Sequence, residues 1–274
     1  MIKSLLLALD RTPAAIEARE LALVLARTHG ATLQGFAVVE PDVVAPPEPT
    51  PIGAGPYKEH RDAVLVERAR TEATAFAQAF SEECRIAGVR DGAAVIVGAA
   101  SSAIVGASAP HDAVLLGVDS DFSGTPAPPS RLIVELLRNN PRPLIVSPAS
   151  ASSDGRTVVA YDGSIPAMRS LQLFCAMGLR ADREVVVVSV DRDAAKAAAD
   201  ADMAVRFLRE RSYQAEPSPV SADTDVAAAV AAAASGAGMV VAGAYGHRGW
   251  REWLLGTTTE RLLRTSPTHL FIHH

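Results

Sequence analysis

The heptapeptide SLLLALD at Ser4–Asp10 has a counterpart in RTVVAYD at Arg156–Asp162. Each contains an apolar run that ends in Asp, and each is followed within four residues by Pro and a helix-like stretch. Uninterrupted apolar runs are typical of strands that are buried on both faces, as in a parallel sheet. The recurrence of strand, loop and helix in the same order predicts a chain built from two similar halves.

Later segments repeat in the same way. The late and closing strands of the two halves align without a gap at an offset of 126 residues. Strands that alternate with helices predict two doubly wound α/β domains in tandem, each with a parallel sheet covered on both faces. The predicted helices are Pro13–Gly30, Pro166–Leu179 and Thr257–Arg264. The predicted strands that correspond to each other in the two halves are Thr32–Val39 and Glu184–Val190, Ala113–Gly117 and Met239–Gly243, and Leu144–Val146 and Leu270–Ile272.

An insertion and a linker are predicted between these elements. The first strands of the two halves are 152 residues apart, whereas the later strands are 126 residues apart. The first half therefore carries about 26 extra residues in its middle. Glu40–Tyr57 is dense in Pro and Gly, which predicts a surface excursion without continuous helix, either a plain mobile loop or a functional lid. Ser147–Gly155 is small and polar, as an interdomain linker is. We therefore predict domains at 1–150 and 155–274.

Composition narrows the classes of partner. Apolar residues make up 49% of the chain and charged residues 21%, which predicts a packed core. The net charge of −5 gives no basic field for a nucleic acid, although a mononucleotide stays compatible with it. The apolar stretch that ends at Asp10 is too short for a membrane span or a signal sequence, which predicts a cytoplasmic protein without a membrane partner. Cys84 and Cys175 indicate neither a disulfide framework nor a zinc cluster.

The segment GAYGHRGWREWLLGTT at Gly243–Thr258 has the spacing GxxGx9G[ST]. Glycine lets backbone N–H groups approach a phosphate, and the helix predicted to begin at Thr257 offers unpaired N–H groups and hydroxyls from Thr257 and Thr258. The pattern predicts an anion site, with simple turn glycines as the alternative. It is neither a GxxxxGK[ST] loop nor a dinucleotide-binding GxGxxG. Ligands of such sheets bind at the carboxyl ends of strands, which here selects Asp162, Val190 and Gly243.

Three motifs together, AYDGS at Ala160–Ser164, GAYG at Gly243–Gly246 and LLGTTTERLL at Leu254–Leu263, resemble the universal stress protein family. The resemblance covers both halves and implies an adenine nucleotide alpha hydrolase-like fold. In the ATP-binding branch of that family, an Asp after the first strand lies near the ribose and metal. The backbone at the end of the second strand contacts adenine, and the glycine motif holds ribose and phosphates.

The resemblance implies an adenine nucleotide site in the second half, with ATP as the leading ligand and Mg²⁺ carried by the nucleotide. Asp162 would lie near the ribose and Mg²⁺, and Ala160 and Ser164 would flank the base and sugar. His247 would lie near the phosphates. No catalytic residue is assigned. The full set of predicted nucleotide-binding residues is Ala160, Asp162, Ser164, Val190, Gly243, Gly246, His247, Gly256, Thr257 and Thr258.

The first half departs from this pattern. The 126-residue offset places Gly117, Ser120 and Ser130 opposite the three glycines of the second half, while Asp10 persists as the counterpart of Asp162. The intervening segment, which contains DFSGTPAPP, also has three prolines. We interpret the first half as a degenerate copy with a structural or regulatory role, with a separate ligand site as the alternative.

The hypothesis from sequence is a stress-response protein that binds an adenine nucleotide. The alternatives are a slow ATPase at the same site, for which Asp162, His247 and Arg248 are the nearby candidates, and a nucleotide-independent interaction or chaperone-like protein. The resemblance also implies that the two closing strands pair within one chain as a pseudo-dimer, with homodimerisation as a further expectation. We do not interpret His269, His273 and His274 as a metal site, because a solvent-exposed strand end is expected there. Trp250 and Trp253 are expected to pack against the protein or a partner rather than to stack on a base.

Overall fold

The structure is a computed structural model that describes residues 1–120, 122, 131–151, 154–221, 225–244 and 257–274. Strands and helices alternate through both halves. The first half contains β1 Ser4–Ala8, α1 Pro13–His29, β2 Thr32–Val39, α2 Pro41–Val44, α3 Gly55–Ala87, β3 Arg90–Val97, α4 Ala100–Ser108, β4 Ala113–Gly117, α5 Arg131–Asn139 and β5 Leu144–Ser147. The second half contains β6 Thr157–Ala160, α6 Ile165–Met177, β7 Val185–Asp191, α7 Ala194–Arg209, β8 Ala215–Ser221, α8 Val226–Ala233, β9 Met239–Gly243, α9 Thr257–Thr265 and β10 His269–His273.

The described strands form one ten-stranded sheet in the order β3-β2-β1-β4-β5-β10-β9-β6-β7-β8. All neighbouring strands within each half run parallel, and the order reverses between β1 and β4 and again between β6 and β9. The predicted α/β fold class with two doubly wound halves is therefore confirmed.

The two closing strands join the halves. β5 and β10 pair antiparallel, with Leu270 opposite Val146, Phe271 opposite Ile145 and Ile272 opposite Leu144. The predicted pairing of these strands within one chain is confirmed. Because this one pair is antiparallel, the strands of the two halves point in opposite directions, and their carboxyl ends lie at opposite ends of the sheet.

Helices cover both faces of the sheet over two clusters of buried apolar residues. α1 and α6 start in the same way, with the hydroxyl of Thr12 or Ser164 accepting a hydrogen bond from the first turn and a Pro in that turn. Both end at a glycine with positive φ, Gly30 and Gly178. These local signals explain why the two helices are predictable from sequence. None of the helices among the described residues combines the length and the apolarity that a bilayer crossing requires.

The Pro- and Gly-rich insertion differs in part from the prediction. Residues 45–54 are irregular and mostly exposed, but α2 begins at Pro41 and α3 begins at Gly55, so helix occupies both ends of Glu40–Tyr57. Proline is tolerated in the first turn of a helix because no N–H is required there. α3 is 33 residues long whereas α7 has 16, so much of the extra length of the first half is a longer helix.

The expectation of a solvent-exposed histidine strand end was wrong. His269 is 2% exposed, and its Nδ1 lies 2.9 Å from the Ser147 hydroxyl oxygen. His273 and His274 are half-buried. The reason is the position of β10, which lies in the middle of the ten-stranded sheet between β5 and β9 instead of at an edge.

Candidate functional site

The candidate site lies where β6 and β9 end side by side. Val159 of β6 pairs with Val241 of β9, so Asp162 and Gly243 follow at the same end of neighbouring parallel strands. The helices that follow these two strands lie on opposite faces of the sheet. Phe174 of α6 belongs to one core cluster, and Leu262 of α9 belongs to the other. A crevice at this reversal is the usual ligand position in such sheets.

The loop from β6 to α6 is held by its own hydrogen bonds. Asp162 Oδ1 accepts a hydrogen bond from the backbone N–H of Ser164 at 3.0 Å, and Gly163 between them has a φ of +74°. Ser164 Oγ accepts a hydrogen bond from the N–H of Ala167 at 3.3 Å and caps α6. Ser164 therefore has a structural role that is sufficient to explain a hydroxyl at this position.

Gly243 is explained by close packing. A Cβ atom at Gly243 would lie 2.5 Å from the backbone nitrogen of Ala167 and 2.6 Å from the carbonyl carbon of Pro166. The first turn of α6 thus rests directly on the end of β9. Gly117 meets α1 in the same way, because its Cβ would lie 2.4 Å from the nitrogen of Ala15. This packing requirement, which sequence reasoning missed, accounts for a glycine in both halves.

Acidic side chains of β7 and α7 lie near the loop from β6 to α6. Lys196 of α7 lies 3.1 Å from Asp191 Oδ2 and 2.7 Å from Asp200 Oδ2, and hydrogen bonds to Asp200 and Asp191 raise the pKa of Lys196. Asp200 Oδ1 is 2.9 Å from where a Cβ at Gly163 would lie. The pKa of Tyr161 is raised, first by burial and then by the charges of Asp200 and Asp162.

Sequence reasoning did not select Asp191, Lys196 or Asp200. The spacing of Lys196 and Asp200 is that of an ordinary pair on a helix surface, so no local signal marks them as part of a site. Only the packing of α7 beside the β6–α6 loop places Asp200 next to Gly163. Val190, the predicted adenine contact, pairs with Val220 of β8 and directly precedes Asp191 at the end of β7.

The start of α9 lies against the end of β9. The hydroxyl of Thr259, which is 3% exposed, donates to the carbonyl oxygen of Gly243 at 3.5 Å, and Thr258 before it is half-buried. α9 begins at Thr257, so its first turn faces the crevice end of β9. The remaining predicted residues of the glycine loop, Gly246, His247 and Gly256, lie outside the described residues, as do Arg248, Trp250, Trp253 and the side chain of Thr257.

The corresponding crevice of the first half contains contacts from its own chain. Asp10 Oδ2 accepts a hydrogen bond from the N–H of Phe122 at 3.2 Å, and Oδ1 accepts one from the N–H of Arg11 at 2.7 Å. Ser120 is fully buried, and its hydroxyl oxygen accepts a hydrogen bond from the N–H of Gly117 at 3.0 Å. Ser130 lies outside the described residues.

Two surface depressions lie away from these strand ends. One, of about 380 Å³, lies between α6 and α7 beside Cys175 and Arg211, and the other, of about 250 Å³, lies beside Glu184 and Tyr213. Burial raises the pKa of the Cys175 thiol to about 12, so this cysteine is protonated at neutral pH. No group of three metal-binding side chains occurs in the described part of the chain.

Comparisons with known proteins identify the fold. No family model matches the chain. A universal stress protein from Synechocystis sp. (strain PCC 6803) is 25% identical over 131 residues, which are 47% of this chain and 46% of that protein. The chain thus spans about half the length of the curated relative that it matches.

Several solved structures match nearly the whole chain, and two of them illustrate the similarity. A universal stress protein from Archaeoglobus fulgidus has a TM-score of 0.69 at 18% identity and covers 98% of this chain and 97% of its own. A putative universal stress protein from Pseudomonas aeruginosa has a TM-score of 0.61 at 13% identity and covers 99% of this chain and 93% of its own. The resemblance predicted from the sequence is confirmed at the level of the fold.

Proposed function

Because the chain has the universal stress protein fold through both halves, we propose that it is a stress-response protein that binds one adenine nucleotide in its second half. The site would lie at the carboxyl ends of β6, β7 and β9. The observation that supports this proposal is the difference between the two crevices. In the first half Asp10 accepts a hydrogen bond from Phe122 of the segment after β4. Ser120, which accepts one from Gly117, and Ser130 stand where the second half has Gly246 and Gly256, whereas the second half retains the full glycine spacing.

The proposed contacts follow from the positions of the strand ends. The phosphates would lie at the start of α9, where unpaired N–H groups and the positive end of the helix dipole favour an anion. The ribose would lie beside Asp162, and the base would contact the backbone at Val190. Gly246, His247 and Gly256 would complete the phosphate cradle, with the hydroxyls of Thr257 and Thr258. Ala160, at the end of β6, would lie under the base and sugar.

Mg²⁺ fits the charges of the described residues. Asp162 and Asp200 both lie close enough to Tyr161 to raise its pKa, and Lys196 is the cation paired with Asp191 and Asp200. These carboxylates would repel a bare polyphosphate, and a divalent ion bound to the phosphates would offset the repulsion. Asp162 is the carboxylate that would face the ion. The proposal is therefore for ATP with Mg²⁺ as the leading ligand.

Adenine nucleotides are named for two solved universal stress proteins, cAMP in one and AMP in one from Arabidopsis thaliana. Each of these structures matches about half of this chain at a TM-score of 0.37. These ligands are those of the two proteins named, and here they serve only to choose the nucleotides for the binding experiment. Hydrolysis is not part of the proposal, because binding alone does not stabilise a transition state.

Isothermal titration calorimetry with ATP, ADP, AMP and cAMP, each with and without Mg²⁺, tests the proposal. We expect one site per chain, with the Mg²⁺ complex of ATP bound more tightly than ATP alone. Gly256→Val should reduce the affinity at least tenfold because a side chain would enter the phosphate path. The matched control is Ser130→Val at the equivalent position of the first half, which should leave the affinity unchanged.

Mass spectrometry of any small molecule that co-purifies with the protein gives an independent readout. Absence of both a co-purified nucleotide and binding heat at millimolar ATP would refute nucleotide binding and favour an interaction protein. Equal loss in Gly256→Val and Ser130→Val would refute the assignment of the site to the second half.

A further inference from the structure

Three neighbouring strands of the first half are followed by acidic residues. Asp10 follows β1, Glu40 follows β2 and Asp119 follows β4, and these strands lie side by side in the order β2-β1-β4. Because the strands are parallel, the three residues lie at the same end of the sheet. The 126-residue offset places Tyr245 opposite Asp119, so an acid at this position is a feature of the first half alone.

The carboxylates of Glu40 and Asp10 bind backbone N–H groups. Glu40 Oε1 accepts a hydrogen bond from the N–H of Ala100 at 2.6 Å, at the start of α4. The two oxygens of Asp10 accept hydrogen bonds from the N–H groups of Arg11 and Phe122. Hydrogen bonds of this kind stabilise an ionised carboxylate, so the fold accounts for both acids.

The carboxylate of Asp119 is buried without this compensation. Asp119 is 5% exposed, and its Oδ1 is buried with no hydrogen-bond partner in the part of the chain that the structure describes. Removing a carboxylate from water is unfavourable, and buried charges in folded proteins are therefore paired with an opposite charge or coordinate a metal ion. An unsatisfied buried oxygen thus indicates a position where an ion is held.

The backbone around Asp119 is fixed at the crevice of the first half. In the turn that contains it, the N–H of Ser120 donates to the carbonyl oxygen of Gly117 at 3.1 Å, and the N–H of Gly117 donates to Ser120 Oγ at 3.0 Å. Gly117 lies against the first turn of α1, and the N–H of Phe122 donates to Asp10 Oδ2 at 3.2 Å. Residues on both sides of Asp119 therefore contact the segment that follows β1, which places Asp119 next to the loop that carries Asp10.

We propose that Asp119 binds a Mg²⁺ ion at the crevice of the first half, with Asp10 as a second carboxylate. Carboxylate oxygens are preferred ligands of hard cations. Mg²⁺ keeps several water ligands and binds proteins through one or two carboxylates, so it does not require a group of three metal-binding side chains, which the described residues lack. Ca²⁺ requires more oxygen ligands and suits this pair of acids less well. The ion would compensate the buried charge of Asp119.

This metal site is separate from the nucleotide site proposed for the second half. The antiparallel pairing of β5 with β10 puts the carboxyl ends of the two sets of strands at opposite ends of the sheet. Metal binding at Asp119 therefore requires no nucleotide, and either proposal can fail without the other.

Electron paramagnetic resonance with Mn²⁺, which shares the oxygen ligands of Mg²⁺, tests the site in the full chain freed of nucleotide and metal. We expect one bound Mn²⁺ per chain, which excess Mg²⁺ displaces. Asp119→Asn should weaken Mn²⁺ binding at least tenfold, because it removes the charge but keeps the shape of the side chain. The matched control Asp91→Asn, at an exposed position of β3, should bind Mn²⁺ as the wild type does.

Thermal unfolding gives a second readout. Without metal, Asp119→Asn should unfold at a higher temperature than the wild type, because no uncompensated charge remains buried. MgCl₂ at about 10 mM should raise the midpoint of the wild type by at least about 2 °C relative to NaCl of equal ionic strength, and should leave that of Asp119→Asn unchanged. A wild type that binds no Mn²⁺, or an Asp119→Asn variant that binds it normally, would overturn the proposal. So would loss of binding in Asp162→Asn but not in Asp119→Asn, which would place the ion in the second half.

Discussion

At the scale of single residues, Gly243 is a position where a packing role must be distinguished from a role in ligand binding. The glycine lies at the end of a strand and in a phosphate-loop pattern, so it is predicted to contact a nucleotide. Its immediate neighbours are nevertheless the backbone atoms of Pro166 and Ala167. The equivalent contact at Gly117, in the half whose other two motif positions are Ser120 and Ser130, indicates that packing alone is a sufficient reason for this glycine.

Gly243→Ala and Gly117→Ala should therefore both destabilise the fold. A Cβ within about 2.5 Å of backbone atoms forces the first turn of a helix away from the sheet. We expect a loss of about 1–3 kcal/mol in the free energy of unfolding, measured by urea denaturation, as for other overpacked sites.

Gly106→Ala is the matched control, because Gly106 is in α4 and a Cβ there would meet no atom within 4 Å. It should be neutral or stabilising by about 0.5–1 kcal/mol. A Gly243→Ala variant with wild-type stability and no nucleotide binding would show instead that the glycine serves the ligand.

At the scale of secondary-structure elements, the pairing of β5 with β10 creates a buried polar contact. Ser147 ends β5 and His269 begins β10, and their side chains hydrogen bond across the junction of the two halves. Burial, together with the nearby charge of Arg180, lowers the pKa of His269 from 6.5 to about 4. Arg180 itself donates to Thr157 Oγ1 and to the carbonyl oxygen of Gly155, which ties the linker to the same region.

The stability of the protein should consequently fall as the pH drops from about 6.5 to about 4. In this window the unfolded chain binds a proton at position 269 that the folded chain does not bind, so the neutral imidazole stabilises the folded state at higher pH. The contribution of the neutral His269 side chain to the free energy of unfolding is on the order of 3 kcal/mol and is fully present above pH 6.5.

Urea denaturation across this pH range measures the effect. His269→Gln should flatten the dependence, and His60→Gln, on the exposed surface of α3, should not. Part of the slope should remain in His269→Gln, because burial lowers the pKa of His273 to about 4 as well. An unchanged slope in His269→Gln would contradict the assignment.

At the scale of the whole molecule, one continuous sheet joins two halves that are similar in sequence order. Leu270, Phe271 and Ile272 are buried against β5 and β9, so each half alone would expose an apolar strand edge. The domains predicted at 1–150 and 155–274 remain a prediction as independent units, and the shared sheet indicates that they depend on each other.

Cleavage of the linker should leave the halves associated. A protease site inserted between Ala151 and Asp154 would break the chain but leave the β5–β10 pair in place. We expect the cut protein to elute from size-exclusion chromatography as the intact one does, and its thermal midpoint to become dependent on concentration. Elution of two separate fragments would contradict this, and a mock-treated sample without the inserted site is the control.

The sequence by itself determined the elements whose signals are local. Apolar runs such as Leu5–Leu7 and Val158–Val159 predicted central strands, and Thr12 with Gly30, like Ser164 with Gly178, bounded two helices. The order of these elements was enough to predict two doubly wound halves, whereas the pairing of their closing strands was what the family resemblance implied. The acidic residue at each first-strand end and the start of α9 were also readable, because strand ends and helix starts coincide with the sites of parallel sheets.

Only the tertiary structure decided which residues meet. The burial of His269, the contact of Gly243 with α6, the position of Asp200 beside Gly163 and the exposure of β3 all depend on segments far apart in the chain. The edge strands β3 and β8 were not predicted, because the charged residues and glycine at the start of β3 and the prolines of β8 are typical of loops. A local pattern records what each segment buries, whereas sheet order and register decide against which partner it is buried.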